Sequence, residues 1–301
     1  ARRQLGGRSL LMRTLVLGGT GMLGRAVVAY GRRRGWSVLG LGRDRCDITD
    51  RDAVVSWVRA FQPAVLINCA AYTKVDDCES NEALADRING EAIGGLVDIG
   101  AEHDARLIQV STDYVFAGDE AGTGDTDREP LAVDAPTGPI SAYGRSKLLG
   151  ERAALADERS LVVRTSWLFG PGGPNFVATM RRLMLAGKPL SVVDDQIGRP
   201  TYTPFLARAL VDLAAAGTTG IVHYGNREAT SWHGFAEAIA RVVAPGTDVR
   251  PVPTSQFPRP APRPAWSVLD VSSFENATGR AVEPWAGGLA TYLEILGGST
   301  S

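Results

Sequence analysis

The chain has 301 residues, enough for one large domain or a nucleotide-binding domain with a smaller companion. A formal net charge of −1 gives no electrostatic reason to expect nucleic acid or an anionic membrane as partner. Cys46, Cys69 and Cys78 lack CxxC spacing, the three histidines are scattered, and no apolar run reaches the ~18–20 residues of a membrane span, so disulfides, a zinc site and a spanning helix are not expected.

Residues 1–11, ARRQLGGRSLL, are basic, and their apolar patch is too short for a signal peptide; they are expected to be an extension ahead of Met12, with the cytoplasm as the default location. Arg13–Leu17 reads as a first strand and leads into Gly18-Gly19-Thr20-Gly21-Met22-Leu23-Gly24, after which a helix runs to Gly35. Strand, glycine turn and helix in that order suit a pyrophosphate: the glycines permit a tight turn and expose backbone N–H groups at the helix start. The spacing is GxxGxxG rather than GxGxxG. Ser37–Leu41 is a second strand, and the residues just past it are placed to read the adenosine ribose. Asp44 there would bind a free 2′-hydroxyl, whereas Arg43 with Arg45 would accept a 2′-phosphate. The arginines are weighted above Asp44, so NADPH is expected, with NADH left open. Asp47, before a helix starting near Thr49 and Asp50, reads as a turn or cap residue.

Residues 63–67 form a third strand, ending at Asn68-Cys69-Ala70-Ala71, whose small side chains let backbone pass close to a cofactor. The run 72–79 is polar and turn-like, ahead of a helix ending near Asn89, and residues 91–103 form a further helix. Residues 106–110 are a fourth strand that delivers Ser111-Thr112-Asp113-Tyr114 at its C-terminal end, where open α/β sheets bind ligands. Residues 117–139, rich in Gly, Asp and Pro, read as a mobile surface loop.

Tyr143 and Lys147 then stand four residues apart on one helix face, in SAYGRSKLLGE. A phenol titrates near ~10, and a neighbouring ammonium lowers that value, which suits a proton donor to a developing alkoxide. Residues 160–163 form a buried strand, and the prolines and glycines of 171–174 break the chain ahead of a second region. That region holds a helix (176–186), a strand (190–193), the loop Asp194-Asp-Gln-Ile-Gly-Arg-Pro-Thr201, a helix near 204–216, a strand at 220–224 and a helix near 231–243. Prolines throughout 251–264 indicate an extended loop.

Taken together these pieces resemble the extended short-chain dehydrogenase/reductases and, within them, the dTDP-4-dehydrorhamnose reductase family. The residues that carry the resemblance are Gly18-x-x-Gly21-x-x-Gly24, Asp47-Ile48-Thr-Asp50, NCAAYTKVDDCE, STDYVF, YGRSK, VRTSWLFG, DDQIGRPT and RPAWSVLD, from Met12 to the end. It implies a Rossmann-type doubly wound parallel sheet over 12–170 and a smaller, mainly substrate-binding α/β region over 171–301, with the chain crossing between them. It implies a catalytic set of Thr112, Tyr143 and Lys147. Cofactor contacts would come from Gly18, Thr20, Gly21, Met22, Leu23, Gly24, Arg43, Asp47, Ile48, Cys69, Ala70 and Ala71, with Tyr143 and Lys147. Substrate contacts would come from Thr73, Val75, Asp76, Thr112, Asp113, Tyr143, Trp167, Asn175, Gln196, Arg199 and Arg263.

The implied activity is reduction of the C4 keto group of dTDP-4-dehydro-β-L-rhamnose by NADPH. The related 4,6-dehydratases follow Thr-Asp with a Glu that removes the C5 proton; Tyr114 stands there in this chain, which disfavours elimination. No catalytic metal is expected, although the resemblance leaves room for an accessory Mg²⁺ whose ligands it does not place, and for a homodimer. Two other readings stay open: a 4-ketoreductase for another dTDP-deoxysugar in secondary metabolism, and a non-catalytic nucleotide-binding regulatory subunit.

Overall fold

Along the first strand Val16 packs into one core while Leu15 and Leu17 pack into another, the period-2 division of a strand covered on both faces. The computed structural model describes residues 12–118 and 128–298; the expected extension at 1–11 and the stretch 119–127 of the expected mobile loop lie outside the described residues. The strands run, in chain order, β1 (Arg13–Leu17), β2 (Ser37–Leu41), β3 (Val65–Asn68), β4 (Arg106–Thr112), β5 (Leu161–Thr165) and β6 (Leu168–Phe169). They continue as β7 (Leu190–Val193), β8 (Ile197–Gly198), β9 (Thr201–Tyr202), β10 (Gly220–His223), β11 (Thr230–Ser231) and β12 (Val249–Val252). The helices are α1 (Met22–Arg33), α2 (Arg51–Phe61), α3 (Val75–Ser80), α4 (Glu82–Asp86), α5 (Ala92–Glu102) and α6 (Ala142–Ala154). Then come α7 (Phe176–Leu185), α8 (Thr203–Ala216), α9 (Trp232–Val243), α10 (Ser272–Thr278) and α11 (Trp285–Gly298).

Six strands form one parallel sheet in the order β10-β5-β4-β3-β1-β2, a Rossmann-type doubly wound α/β fold. Helices α1, α8 and α10 supply Leu23, Val27, Leu206, Leu210 and Phe274 to the core on one face. Helices α2, α5 and α6 supply Val54, Val58, Ile93, Leu96 and Ala154 to the other. The chain reverses direction across the sheet between β1 and β3, which opens a crevice at their carboxyl ends. The sixth strand, β10, and α8 both come from beyond the 171–174 break, so the second region re-enters the sheet before continuing.

The rest of the second region is held differently. Pairs β6–β9, β7–β12 and β8–β11 are two-stranded, and a separate core joins Phe169, Tyr202, Phe235 and Tyr292. Pro251 sits inside β12, which pairs only with β7; an edge strand tolerates the missing N–H, so the expected extended loop begins one strand later than its prolines suggest. The polar run 72–79 also differs from its turn-like reading. From Val75 to Glu102 the chain is almost continuously helical, with a π-turn over Arg87–Glu91, because Cys78 and Ala85 are buried against Ala142 and Tyr143 of α6.

Candidate active site

The glycine turn is shaped by contact with β3 and β2. Gly18 has φ +70°, and a Cβ there would lie 2.6 Å from Ala70 N; a Cβ on Gly24 would lie 2.2 Å from Gly18 O. Gly21 is the N-cap of α1, with no side-chain cap and no acidic residue in the first turn, so the positive end of the helix stays open to an anion. Thr20 is exposed, Met22 half-buried and Leu23 buried in the core. Cys69, Ala70 and Ala71 are half-buried beside the turn, where burial pushes the Cys69 thiol up to about 12.

Beyond β2, Arg43 is exposed and its Nε donates to Asp47 Oδ2 at 3.1 Å. The Arg45 guanidinium instead lies over the Trp57 ring of α2, 4.7 Å from its centroid. Asp44 Oδ1 and Thr20 Oγ1 both approach Gly42. Asp47 accepts from Thr49 N and Oγ1, forming a turn ahead of the true N-cap, Asp50; that bonding holds its carboxyl below the usual range. The Ile48 side chain is buried in the core with Leu41 and Val54.

At the carboxyl end of β4, Thr112 and Asp113 are buried beside Tyr143 of α6, and Lys147 is buried one turn further along that helix. Ser141 caps this helix through Gly144 N at 3.2 Å, and Glu79 accepts from Ala142 N at 2.8 Å, so both the start of α6 and its rotation are fixed. Thr112 Oγ1 donates to Asp113 Oδ1 at 3.0 Å, and the Thr112 side chain is the hydrogen-bonding neighbour of the Tyr143 phenol. Lys147 Nζ donates to Val110 O at 2.7 Å.

One expectation is corrected here. Tyr143 is raised above the usual phenol range, by burial first and then by Asp113, so the lowering expected from Lys147 does not prevail. The phenol therefore holds its proton at neutral pH. Burial lowers Lys147 to about 8, opposed by Glu151 and Cys69. Asp113 is raised to about 6 by burial, opposed by hydrogen bonds from Ser267 and Thr112.

Two segments of the second region reach this pair. Arg263 Nη2 donates to Asp76 Oδ1 at 3.0 Å, and both act on Tyr114, whose ring stands edge-on to Tyr143 with centroids 5.5 Å apart. Ser267 bonds the Asp113 carboxyl, and its own N–H donates to Ile197 O at 2.9 Å, so the 194–201 loop is one residue removed from the site. Val75 packs in the cluster around Tyr143, and Thr73 is exposed nearby in sequence.

The remaining expected contacts are engaged within the protein. Gln196 is buried and donates to Thr254 Oγ1 at 2.9 Å. Trp167, at φ +47°, stacks on Trp232 with centroids 3.7 Å apart, and a Cβ on Gly198 would strike its indole. Arg199 is the exception: it packs against Gly225 in the field of Asp270 and Glu228, but its Nε is buried without a hydrogen-bond partner among the described residues. Asn175 caps α7 through Ala178 N and donates to Gly170 O and Tyr292 Oη. Among the described residues no group of three or more His, Cys, Asp or Glu is arranged to hold a metal ion.

Sequence reasoning missed Asn89. Its amide accepts from Tyr72 N at 2.8 Å and donates to Tyr72 O and Ser146 Oγ at 3.0 Å each, clamping the segment after β3 to the residue before Lys147. Asn89 lies in the π-turn over Arg87–Glu91, a rare local geometry that helical periodicity does not anticipate. It also missed Glu151 and Arg164, a buried ion pair at 2.8 Å between α6 and β5. The signal was there: an arginine inside the apolar strand LVVRT needs a buried partner.

Residues 12–297 match the family model described as RmlD substrate binding domain. A dTDP-4-dehydrorhamnose reductase from Streptomyces griseus is 43% identical over 294 residues, covering 95% of this chain and 94% of the relative. The solved dTDP-4-dehydrorhamnose reductase of Clostridium acetobutylicum superposes with a TM-score of 0.89 at 36% identity, covering 95% of this chain and 99% of that one. The Bacillus anthracis enzyme of the same name, solved in complex with NADP, gives 0.88 at 32% identity over 94% and 99%.

Proposed function

The chain belongs to the dTDP-4-dehydrorhamnose reductase family, and on that premise we propose that it reduces the C4 keto group of dTDP-4-dehydro-β-L-rhamnose with NADPH to give dTDP-β-L-rhamnose. The observation that carries the reading is the buried set at the carboxyl end of β4: a protonated Tyr143, the Thr112 hydroxyl beside it, and Lys147 one helical turn away.

The residues present fit a dinucleotide. The uncapped, acid-free start of α1 at Gly21 suits a pyrophosphate, the close approach of Gly18 to Ala70 keeps the turn low beneath it, and Arg43 stands free of the core to meet a 2′-phosphate. A bound nicotinamide supplies the hydride to C4. As negative charge develops on the keto oxygen, Tyr143 gives its proton to that oxygen and Thr112 hydrogen-bonds it. The raised phenol value keeps the donor loaded, and the much more basic alkoxide draws the proton off. Lys147, seated at Val110 O, would hold the nicotinamide ribose. Tyr114, also raised by burial, stays a neutral phenol and offers no base for elimination.

The assembled donor set favours a catalyst over a regulatory nucleotide binder, which has no use for a buried proton donor. The test is incubation with NADPH and a panel of dTDP-4-keto sugars, with products identified by NMR. Formation of dTDP-β-L-rhamnose is expected. Turnover of a different ketosugar alone would move the substrate, and no NADPH oxidation with any of them would overturn the enzymatic reading.

A further inference from the structure

Helix α6 carries three polar side chains in one line, Tyr143, Lys147 and Glu151, at 9%, 3% and 1% exposure. The third is outside the reaction just described. Glu151 takes Arg164 bidentately, with Nε on Oε1 at 2.9 Å and Nη2 on Oε2 at 2.8 Å. Arg164, itself 3% exposed, also donates to Val133 O at 3.1 Å and faces His223 Nε2 at 3.3 Å, with the Phe116 ring 4.9 Å from its carbon. His223 Nδ1 lies 3.1 Å from Leu131 O, so that nitrogen carries the hydrogen and Nε2 accepts from Arg164. Burial and Arg164 lower His223 to about 4, consistent with a neutral ring.

Every member of this network has a partner, yet a buried ion pair is weak evidence of stabilisation, since apolar residues of the same volume often serve as well. Its place is informative: it ends one turn from the Lys147 ammonium. The groups that act on Lys147 are the Val110 carbonyl from β4, which accepts from its Nζ, the Cys69 thiol just past β3, and Glu151 from its own helix; Tyr143 precedes it by one turn, and Arg164 of β5 is paired to Glu151. Cys69 and Tyr143 are both pushed away from ionisation at neutral pH, which leaves the Glu151 carboxylate as the charge that raises Lys147.

We propose that Glu151 is a positioning residue for catalysis: one helical turn from Lys147, its carboxylate favours the charged form of the buried ammonium that Val110 O seats, and Arg164, which takes both carboxylate oxygens, sets how much of that negative charge Lys147 feels. The inference rests on the reading of Lys147 as the cation on the cofactor side of the site. Burial alone takes Lys147 down, to about 8 with Glu151 in place, so its charge at working pH depends on its neighbours.

The test is the alkaline limb of the kcat/KM–pH profile, which Lys147 governs because Tyr143 and Cys69 titrate well above it. Profiles are compared for the unaltered enzyme, Glu151→Gln, Arg164→Met and the double variant. Glu151→Gln lowers the limb by on the order of one pH unit, as removal of a nearby opposite charge does. Arg164→Met raises the limb, because the carboxylate is no longer shared. The double variant leaves no orphan charge and so folds even if the single variants do not; its limb lies below that of the unaltered enzyme and above that of Glu151→Gln. Coincidence of the double variant with the unaltered enzyme, or a uniform loss across pH in all three, overturns the proposal and leaves the pair a packing device. Failure of the unaltered enzyme to reduce any ketosugar would count against the functional reading instead.

Discussion

The two sides of the site are built by different means. On the nucleotide side, Gly18, Thr112 and the Cys69–Ala71 stretch sit at the ends of β1, β4 and β3, and the parallel ladder fixes their spacing without help from a ligand. On the sugar side, the groups arrive on short segments tied together over long chain separations. Asp76 meets Arg263 across 187 positions, and Gln196 meets Thr254 across 58. A ladder loses little when one side chain changes, whereas a tie between crossing segments is lost with either partner. Substitutions on the first side should therefore act on chemistry or cofactor affinity alone. On the second they should act on KM for the sugar nucleotide together with local stability.

Tyr143→Phe is the strongest way to break the comparison. The phenyl ring keeps the edge-on contact with Tyr114 and the burial, so the fold and the NADPH Kd stay unchanged. Loss of the proton donor lowers kcat by roughly 10²–10⁴. Near-normal turnover in stopped assays at saturating substrates would remove Tyr143 from the chemistry and the whole set with it.

The next largest effect separates the two arginines after β2. Arg43 is exposed and bonded to the surface partner Asp47, whereas Arg45 lies over Trp57. Arg43→Ala should weaken NADPH by about 1.5–3 kcal/mol, roughly ten- to a hundred-fold, and leave NADH nearly unchanged. Arg45→Ala should affect thermal stability more than either cofactor. Fluorescence titration of both nucleotides checks this; equal weakening of NADPH and NADH by Arg43→Ala would return the ribose contact to Asp44, which stands beside Thr20 at Gly42.

This asymmetry also explains what could be read from the chain. The nucleotide side was legible because its chemistry is local. Gly18 to Gly24 spans one turn, Tyr143 and Lys147 one helix face, and the short apolar runs of β1, β3 and β4 fit strands buried on both faces. Asn89 was not legible, because its role depends on a π-turn that brings it to Tyr72 and Ser146. The direction of the Tyr143 shift was misread for a related reason. Spacing puts Lys147 next to Tyr143, but burial and Asp113 outweigh it, and burial is a property of the folded chain. On the sugar side, sequence named Asp76 and Arg263 without showing that they pair, and named Gln196 without showing that its amide is taken by Thr254.

The smallest expected effect tests whether Trp167 belongs to the sugar side or only to its packing. Its indole is half-buried, flat against Trp232, with Gly198 under its edge, so the ring forms part of a wall rather than a free platform. Trp167→Ala removes an aromatic stack on Trp232 worth about 0.5–1.5 kcal/mol of stability, and it also raises the KM for the sugar nucleotide if the wall bounds the sugar. Gln196→Ala loses one hydrogen bond of about 1 kcal/mol and should move KM in the same direction. The backbone gives an internal control, because Trp167 sits at φ +47°, a conformation that glycine adopts without strain. Trp167→Gly should therefore match Trp167→Ala in melting temperature despite losing one more carbon, and match it in KM because both lack the ring. If Trp167→Ala lowers the melting temperature but leaves KM unchanged, the indole joins the two regions and does not line the sugar. The substrate side would then narrow to Asp76, Arg263 and the Ser267–Ile197 strap over Asp113.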